Sequence, residues 1–350
     1  MKIEELLRDN IRRLVPYSSA RDEFDATAMI QLDANENPFE NGLNRYPDPY
    51  QTELKSKIAD WKGVSAENLV LGNGSDELID LLIRAFCEPG KDKVVGLTPS
   101  YGMYKVCCDI NNVDYKAVAM DEDFDFNPTE VLDIVDENTK IIFLCSPNNP
   151  SGNSLDVVKI ERLLNQFKGI MVIDEAYADF AKSKSWINSL DEYPQLVVLQ
   201  TFSKAIGMAS IRLGMAWSSK EIVEIFNRIK SPYNVNGLTQ AAALEMLSQM
   251  EIVEERIQEI NNQKDQLTQE LLSLDVVEKV FPSDANFLLV RLRDAKAIYD
   301  YLLKQGIVVR DRSKQVNCEN CLRITVGTKE QNSELIKNLK AYENEESTVY

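Results

Sequence analysis

Short runs made almost wholly of apolar residues recur along the first two thirds of the chain, at 69–71, 94–97, 141–144, 170–173, 196–199 and 213–217. Stretches with helical spacing of apolar positions, such as 76–86 and 157–167, lie between most of them. A strand that is apolar at every position must be covered on both faces. The alternation therefore predicts an α/β unit, a mostly parallel central sheet with helices on both faces. After residue 219 the pattern changes. Leu244, Leu247 and Met250, then Ile252, Ile257 and Ile260, keep the spacing of long helices, one of them joining two domains. From about 276 the pieces shorten to a strand at 287–290, a helix at 295–303, strands at 307–309 and 322–326, and a helix at 331–342. The expected organisation is a large α/β domain over 31–255 and a smaller α+β domain built from 1–30 and 256–350, with 343–350 as a frayed acidic tail.

Composition narrows the chemistry. With 350 residues, 44% of them hydrophobic, the chain can bury a sizeable core, and it contains no histidine. That excludes Ser-His-Asp and Cys-His catalysis, histidine-ligated zinc and proximal-histidine haem. A formal charge of -17 opposes phosphate backbones and anionic lipid, so neither nucleic acid nor membrane is an expected partner. An anionic small molecule would need a local basic pocket. The opening 21 residues mix charges without the apolar centre of a signal peptide, and no later run reaches membrane-spanning length, so a cytoplasmic location is expected. Of six cysteines, only Cys318 and Cys321 have ligand-pair spacing. Without a second pair or a histidine they cannot complete a tetrahedral zinc site, and no metal is expected.

In a parallel sheet, ligands sit beyond the carboxyl ends of the strands. Four segments leaving such ends carry chemistry. Residues 72–77, GNGSDE, turn from strand to helix and offer free backbone N–H groups to a phosphate. They lack the third glycine of a dinucleotide fingerprint, and a capped turn without ligand explains them equally well. Residues 146–152, SPNNPSG, are explicable as a loop by their turn formers alone. Residues 174–177, DEAY, end a buried run in a carboxylate, which can hold a cation or merely cap a helix. Residues 201–204, TFSK, are followed by Arg212, and Lys204 has Phe202, Ala205, Ile206 and Met208 as sequence neighbours. An apolar setting makes a lysine amine reactive, although most single lysines are solvated. Together the four supply an amine nucleophile, an acid, an amide with a phenol, and phosphate donors. That is the set pyridoxal 5'-phosphate needs.

In that order SPNNPSG, DEAY and TFSKAIGMASIRLG resemble the fold-type-I pyridoxal-phosphate aminotransferases. Further segments narrow the resemblance to the histidinol-phosphate aminotransferases: VPYSSAR (15–21), LDANENP (32–38), RYPDP (45–49), RAFCEPG (84–90), PSYGMY (99–104), VVRDR (308–312) and CLRITVGT (321–328). The resemblance implies that Lys204 is the Schiff-base lysine and that Asp174 pairs with the pyridinium nitrogen. Asn149 and Tyr177 would bond the phenolate oxygen, with Tyr101 stacked on the ring. Ser75, the backbone of Asp76, Thr201, Ser203 and Arg212 match the phosphate-binding positions. Tyr46 matches a tyrosine reaching the phosphate from a second subunit, which implies a homodimer with shared active sites. Arg323 matches the arginine that grips the carboxylate of glutamate and 2-oxoglutarate. Arg310, Tyr17, Asn35 and Asn37 match positions on the substrate side. A cluster of Arg212, Arg310, Arg312 and Arg323 would be the local basic site. Ser151 and Ile206 depart from the common pattern, and both are expected to change packing only.

The activity implied is transamination between L-histidinol phosphate and 2-oxoglutarate in L-histidine biosynthesis. The alternatives are an aromatic or broad-range aminotransferase or a threonine-phosphate decarboxylase on the same scaffold. From another class comes a non-catalytic regulator that only senses the cofactor.

Overall fold

A computed structural model describes residues 2–16, 30 and 32–348. The strands of the first sheet are β1 (Leu69–Asn73), β2 (Lys93–Thr98), β3 (Asp114–Ala119), β4 (Thr139–Cys145), β5 (Ile170–Asp174), β6 (Leu196–Thr201) and β7 (Leu213–Ser218). Their spatial order is β1-β7-β6-β5-β4-β2-β3, and only β7 runs against its neighbours. The six apolar runs form six of its seven strands, as expected. β3 escaped the pattern because it is an edge strand carrying Asp114 and Lys116, with one buried position in six.

The helices in chain order are α1 (Asp9–Arg12), α2 (Thr52–Lys62), α3 (Gly74–Phe86), α4 (Met103–Ile110), α5 (Pro128–Asp133), α6 (Val157–Gln166), α7 (Lys220–Ile229), α8 (Gly237–Leu247), α9 (Met250–Leu272), α10 (Ala295–Lys304) and α11 (Lys329–Thr348). Successive strand residues face opposite sides, so each strand feeds two cores. Val95, Ile142, Leu144, Met171, Ile173 and Val198 meet α2, α5, α6 and α8, whereas Val94, Ile141, Phe143, Val172 and Val197 meet α3, α4 and α7. Helix starts follow local chemistry. Asn127 caps α5 through the Thr129 N–H at 2.9 Å, and Asp156 caps α6 through the Lys159 N–H at 3.1 Å.

A second, antiparallel sheet has the order β10-β11-β9-β8, from β8 (Val277–Val280), β9 (Phe287–Leu292), β10 (Arg310–Asp311) and β11 (Cys321–Thr325). Residues 307–309, expected as a strand, lie outside the sheet, and pairing begins at Arg310. β8 was not anticipated, because two of its four residues, Glu278 and Lys279, are charged and adjacent and none is fully buried. α9 links the two sheets: Val253 lies in the core of the first, Leu267 and Leu271 in that of the second. Ile3 and Leu7 pack with Ile79, Phe86 and Phe226 on the first sheet, unlike the grouping of 1–30 with the small domain. Their apolar side chains fill the gap beside α3 and α7, and the Arg8 guanidinium donates to the Arg84 carbonyl at 3.0 Å.

Candidate active site

The parallel strands end at a cavity of about 610 Å³, which the second sheet closes from above. Its floor is Asp174, the last residue of β5 and only 2% exposed. One carboxylate oxygen accepts from the Tyr104 hydroxyl at 2.7 Å and the other from the Ala176 N–H at 3.0 Å. Tyr104 belongs to α4 and is itself held by stacking on Phe143, with ring centroids 4.6 Å apart and planes 8° from parallel. Burial pushes the Asp174 carboxyl above the usual range, and the Asp76 charge adds to that. The Tyr104 and Ala176 hydrogen bonds and the Lys204 charge oppose the rise. The Tyr104 hydroxyl is pushed far up, first by burial and then by Asp174, so it stays a neutral donor.

Lys204 follows β6 on a tight turn in which Thr201 Oγ1 accepts the Ser203 N–H at 3.1 Å and the Lys204 carbonyl accepts the Gly207 N–H at 3.0 Å. The side chain opens into the cavity, with its amine 5.5 Å from the centre of the Tyr177 ring. Partial desolvation lowers its pKa, Arg323 and Arg212 add to the fall, and Asp174 counters it. A larger share of neutral amine is the form that attacks a carbonyl carbon or takes a proton.

At the β1 to α3 turn, Gly74 takes a left-handed backbone, φ +74°, and its N–H donates to the Arg212 carbonyl at 2.6 Å. Gly214 passes so close that a Cβ there would lie 2.3 Å from the Gly74 carbonyl carbon and the Ser75 nitrogen. This close approach sets the N-terminus of α3 beside Arg212, whose guanidinium lies 3.5 Å from both Ser203 Oγ and an Asp76 carboxylate oxygen. The other Asp76 oxygen accepts from Tyr101 at 2.9 Å, and burial, then Asp76, pushes the Tyr101 hydroxyl up. Ser75, Thr201 and Ser203 line the same end of the cavity.

The opposite wall comes from the second sheet. Arg310 and Arg323 are direct cross-strand partners, and Arg312 follows two residues after Arg310. Arg323 donates to the Asn149 side-chain carbonyl, and its guanidinium lies 5.2 Å from the centre of the Phe287 ring. Phe287 in turn packs edge-on against Tyr177 at 5.1 Å. Burial and Arg310 lower the Arg323 pKa, with Tyr177 opposing. Among the described residues five cationic side chains and two carboxylates line the cavity, a local reversal of the chain's acidic balance.

The fold thus gathers Ser75, Asp76, Tyr101, Asn149, Asp174, Tyr177, Thr201, Ser203, Lys204, Arg212, Arg310 and Arg323 around one space. Asn35, Asn37 and Tyr46 are not brought there by a single chain. Asn37 Oδ1 accepts the Phe39 N–H at 2.9 Å, Glu36 accepts the Tyr46 N–H at 2.6 Å, and the Tyr46 ring stacks on Tyr233 at 4.6 Å. These local bonds hold the segment as a separate surface loop, with Asn35 beside a shallow depression. Tyr17 lies outside the described residues. Tyr104 and Gln315 were not singled out from sequence. Tyr104 lies in the first turn of α4 and Gln315 in a loop, and no local signal marks either.

Comparison with known proteins adds independent findings. The family model for aminotransferase class I and II matches residues 26–339. A histidinol-phosphate aminotransferase of Christiangramia forsetii is 55% identical over 345 residues, covering 98% of this chain and 99% of that protein. The crystal structure of the histidinol-phosphate aminotransferase from Clostridium acetobutylicum superposes with a TM-score of 0.80 at 26% identity, over 87% of this chain and 92% of that one. The enzyme of the same name from Sinorhizobium meliloti, solved in complex with pyridoxal-5'-phosphate, shares the fold with a TM-score of 0.77 at 24% identity, over 85% of this chain and 84% of that one.

Proposed function

The chain belongs to the class I and II aminotransferases, and from that premise we propose that it moves the amino group of L-histidinol phosphate to 2-oxoglutarate. The products are imidazole acetol phosphate and L-glutamate, and the setting is L-histidine biosynthesis. The observation that carries this is the convergence of Lys204 and Asp174 from the first sheet with Arg310, Arg312 and Arg323 from the second on one cavity.

The cofactor of this proposal is pyridoxal 5'-phosphate, and the donor set fits it. Asp174 is a buried carboxylate short of a cationic partner, and a protonated ring nitrogen would supply one. Arg212, Ser75, Ser203 and the α3 N-terminus form the cationic and N–H-rich end that a phosphate needs. When bound, the cofactor supplies an aldehyde that takes an amine and a ring that accepts the electron pair left as the donor carbon loses its proton.

The chain's own residues divide the rest. Asp174 would keep the ring nitrogen protonated, with Tyr104 and the Ala176 N–H holding the carboxylate in place. Asn149 and Tyr177 would bond the phenolate oxygen, and Tyr101 would cover the ring. Lys204, its pKa lowered by burial, would take the proton from the donor's amine-bearing carbon and return it on the other side of the transferred nitrogen. Arg323 holds the 2-oxo acid's carboxylate with its planar fork. Donor and acceptor use one site in turn, so the kinetics are ping-pong.

We also propose a homodimer in which Tyr46 of one chain reaches the phosphate end of its partner's cavity. Asn35 and Asn37 of its loop and Tyr17 would line the substrate side. Phe39, Leu43, Ile30 and Leu32 on that surface segment are exposed by 67% to 89%, apolar area that an interface would cover. A cytoplasmic location is consistent with six buried free cysteines, and among the described residues no helix is long and apolar enough to cross a membrane. Amino-donor profiling tests the substrate assignment. The holoenzyme should prefer histidinol phosphate over phenylalanine as donor to 2-oxoglutarate. Preference for phenylalanine, or carbon dioxide release from threonine phosphate, would contradict it.

A further inference from the structure

Glu175 is a buried carboxylate that the mechanism above does not use. It follows Asp174 at the end of β5 and is 3% exposed. Strand alternation turns Asp174 towards Tyr104 and the cavity, and sends Glu175 to the opposite face of the sheet. There one oxygen accepts the Trp186 N–H at 2.7 Å, and the other accepts from the Gln200 side-chain amide at 2.9 Å and from the Ser185 hydroxyl. Ser185 Oγ also accepts from the Gln200 amide at 3.2 Å, which closes a three-residue network. Gln200 Oε1 is buried and bonds to nothing, so this amide serves as a donor only. Burial pushes the Glu175 carboxyl above its usual range, and the Ser185, Trp186 and Gln200 hydrogen bonds and the Lys62 charge oppose the rise. Lys62 does not pair with it, because its amine is bound to Asp179 at 2.7 Å.

A charge buried without a counter-ion costs stability, and a well-packed apolar side chain would fill the same space at lower cost. What a carboxylate adds is two acceptor oxygens that hold three donors from two separate segments at once. One of those segments leads straight into the site. Gln200 stands one residue before Thr201, whose Oγ1 accepts the Ser203 N–H and so shapes the turn that carries Lys204. The main chain of Glu175 acts in the same direction. Its N–H donates to the Leu199 carbonyl at 2.7 Å, and its carbonyl accepts the Ala178 N–H at 3.0 Å, closing the turn from which Tyr177 lines the cavity. We propose that Glu175 is a positioning residue: through Gln200 and Ser185 it sets the end of β6, and with it Lys204, against Asp174 and Tyr177. This rests on the transaminase assignment above.

The test compares the wild-type holoenzyme with Glu175→Gln, with Gln200→Met and with the exchanged pair Glu175→Gln/Gln200→Glu. Glutamine at 175 offers one acceptor where three donors converge, and methionine at 200 cuts the link to β6 at similar volume. In both single variants kcat should fall by about 10- to 100-fold, the loss that follows a shift of about 1 Å between reacting groups. The KM for 2-oxoglutarate should stay as in wild type. The visible circular dichroism of the bound cofactor reads its orientation without any turnover, and it should be largely lost at unchanged absorbance. The exchanged pair again sets a donor against an acceptor, so kcat and dichroism should both return. Wild-type kcat and dichroism in the two single variants would overturn the role, as would a raised KM at wild-type kcat or a loss that the exchanged pair does not recover. If Glu175→Gln does not fold, Gln200→Met and the exchanged pair decide on the same readouts. If wild type turns over neither glutamate nor histidinol phosphate, the transaminase assignment fails, and the dichroism alone still decides the role of Glu175.

Discussion

The floor and the roof of the cavity handle charge in opposite ways. On the floor, Asp174 is fully enclosed but receives a hydroxyl and an N–H, and Lys204 stands near enough to lower its pKa. On the roof, three guanidiniums share one face of a short hairpin; after burial, Arg323 and Arg310 lower the Arg312 pKa and Arg310 lowers that of Arg323, with one neutral amide, Asn149, bonded to Arg323. The floor thus has its hydrogen bonds in place and lacks only a close cationic partner, whereas the roof carries cations in excess. A reaction common to a whole family needs the first arrangement. Recognition of one anionic substrate is served by the second, because cations that the chain itself leaves uncompensated gain most from the right anion.

If that division holds, changes to the floor should lower turnover and changes to the roof should raise KM. The largest effect is expected for Lys204→Ala, with turnover lost by about 10⁴-fold or more and no adduct trapped on this chain by borohydride. A trapped adduct in that variant would move the nucleophile elsewhere. Next comes Arg323→Lys, which keeps the charge but loses the fork. The KM for 2-oxoglutarate should rise by roughly 10- to 100-fold, with kcat changed much less. A fall in kcat at constant KM would place Arg323 with the floor and break the comparison.

Tyr104→Phe is expected to be the mildest. It removes a donor from a buried carboxylate, of order 2 kcal/mol, and so weakens the force that keeps the Asp174 pKa down. The sign follows directly. Without the hydroxyl the Asp174 pKa rises, the ionised form is lost at higher pH, and the acid limb of the kcat profile moves upward. A pH titration of kcat and of cofactor absorbance checks this, and an unmoved acid limb would mean that Tyr104 only fills space.

The floor was also the part most legible in the sequence. β4, β5 and β6 are buried along nearly their whole length and carry runs of four or more apolar residues because both faces are covered, so their ends, and hence Asp174 and Lys204, could be located from the pattern. β3 and β8 were missed because edge strands with charged positions carry no such signal. Tyr104 escaped because its role depends on contact between α4 and the end of β5, far apart in sequence. The arginines were visible as residues, but that Arg312 shares a face with Arg323 depends on hairpin register. The loop carrying Asn35, Asn37 and Tyr46 was expected at the cavity, and in one chain its own Glu36 and Tyr233 contacts hold it elsewhere.

The most direct test is the paired half-reaction. Purified holoenzyme is mixed with histidinol phosphate alone while cofactor absorbance is followed, and 2-oxoglutarate is then added. The yellow colour is expected to bleach in the first step with release of one keto product per site, and to return in the second with formation of one glutamate. Colour unchanged by histidinol phosphate, or bleaching that 2-oxoglutarate does not reverse, would contradict it.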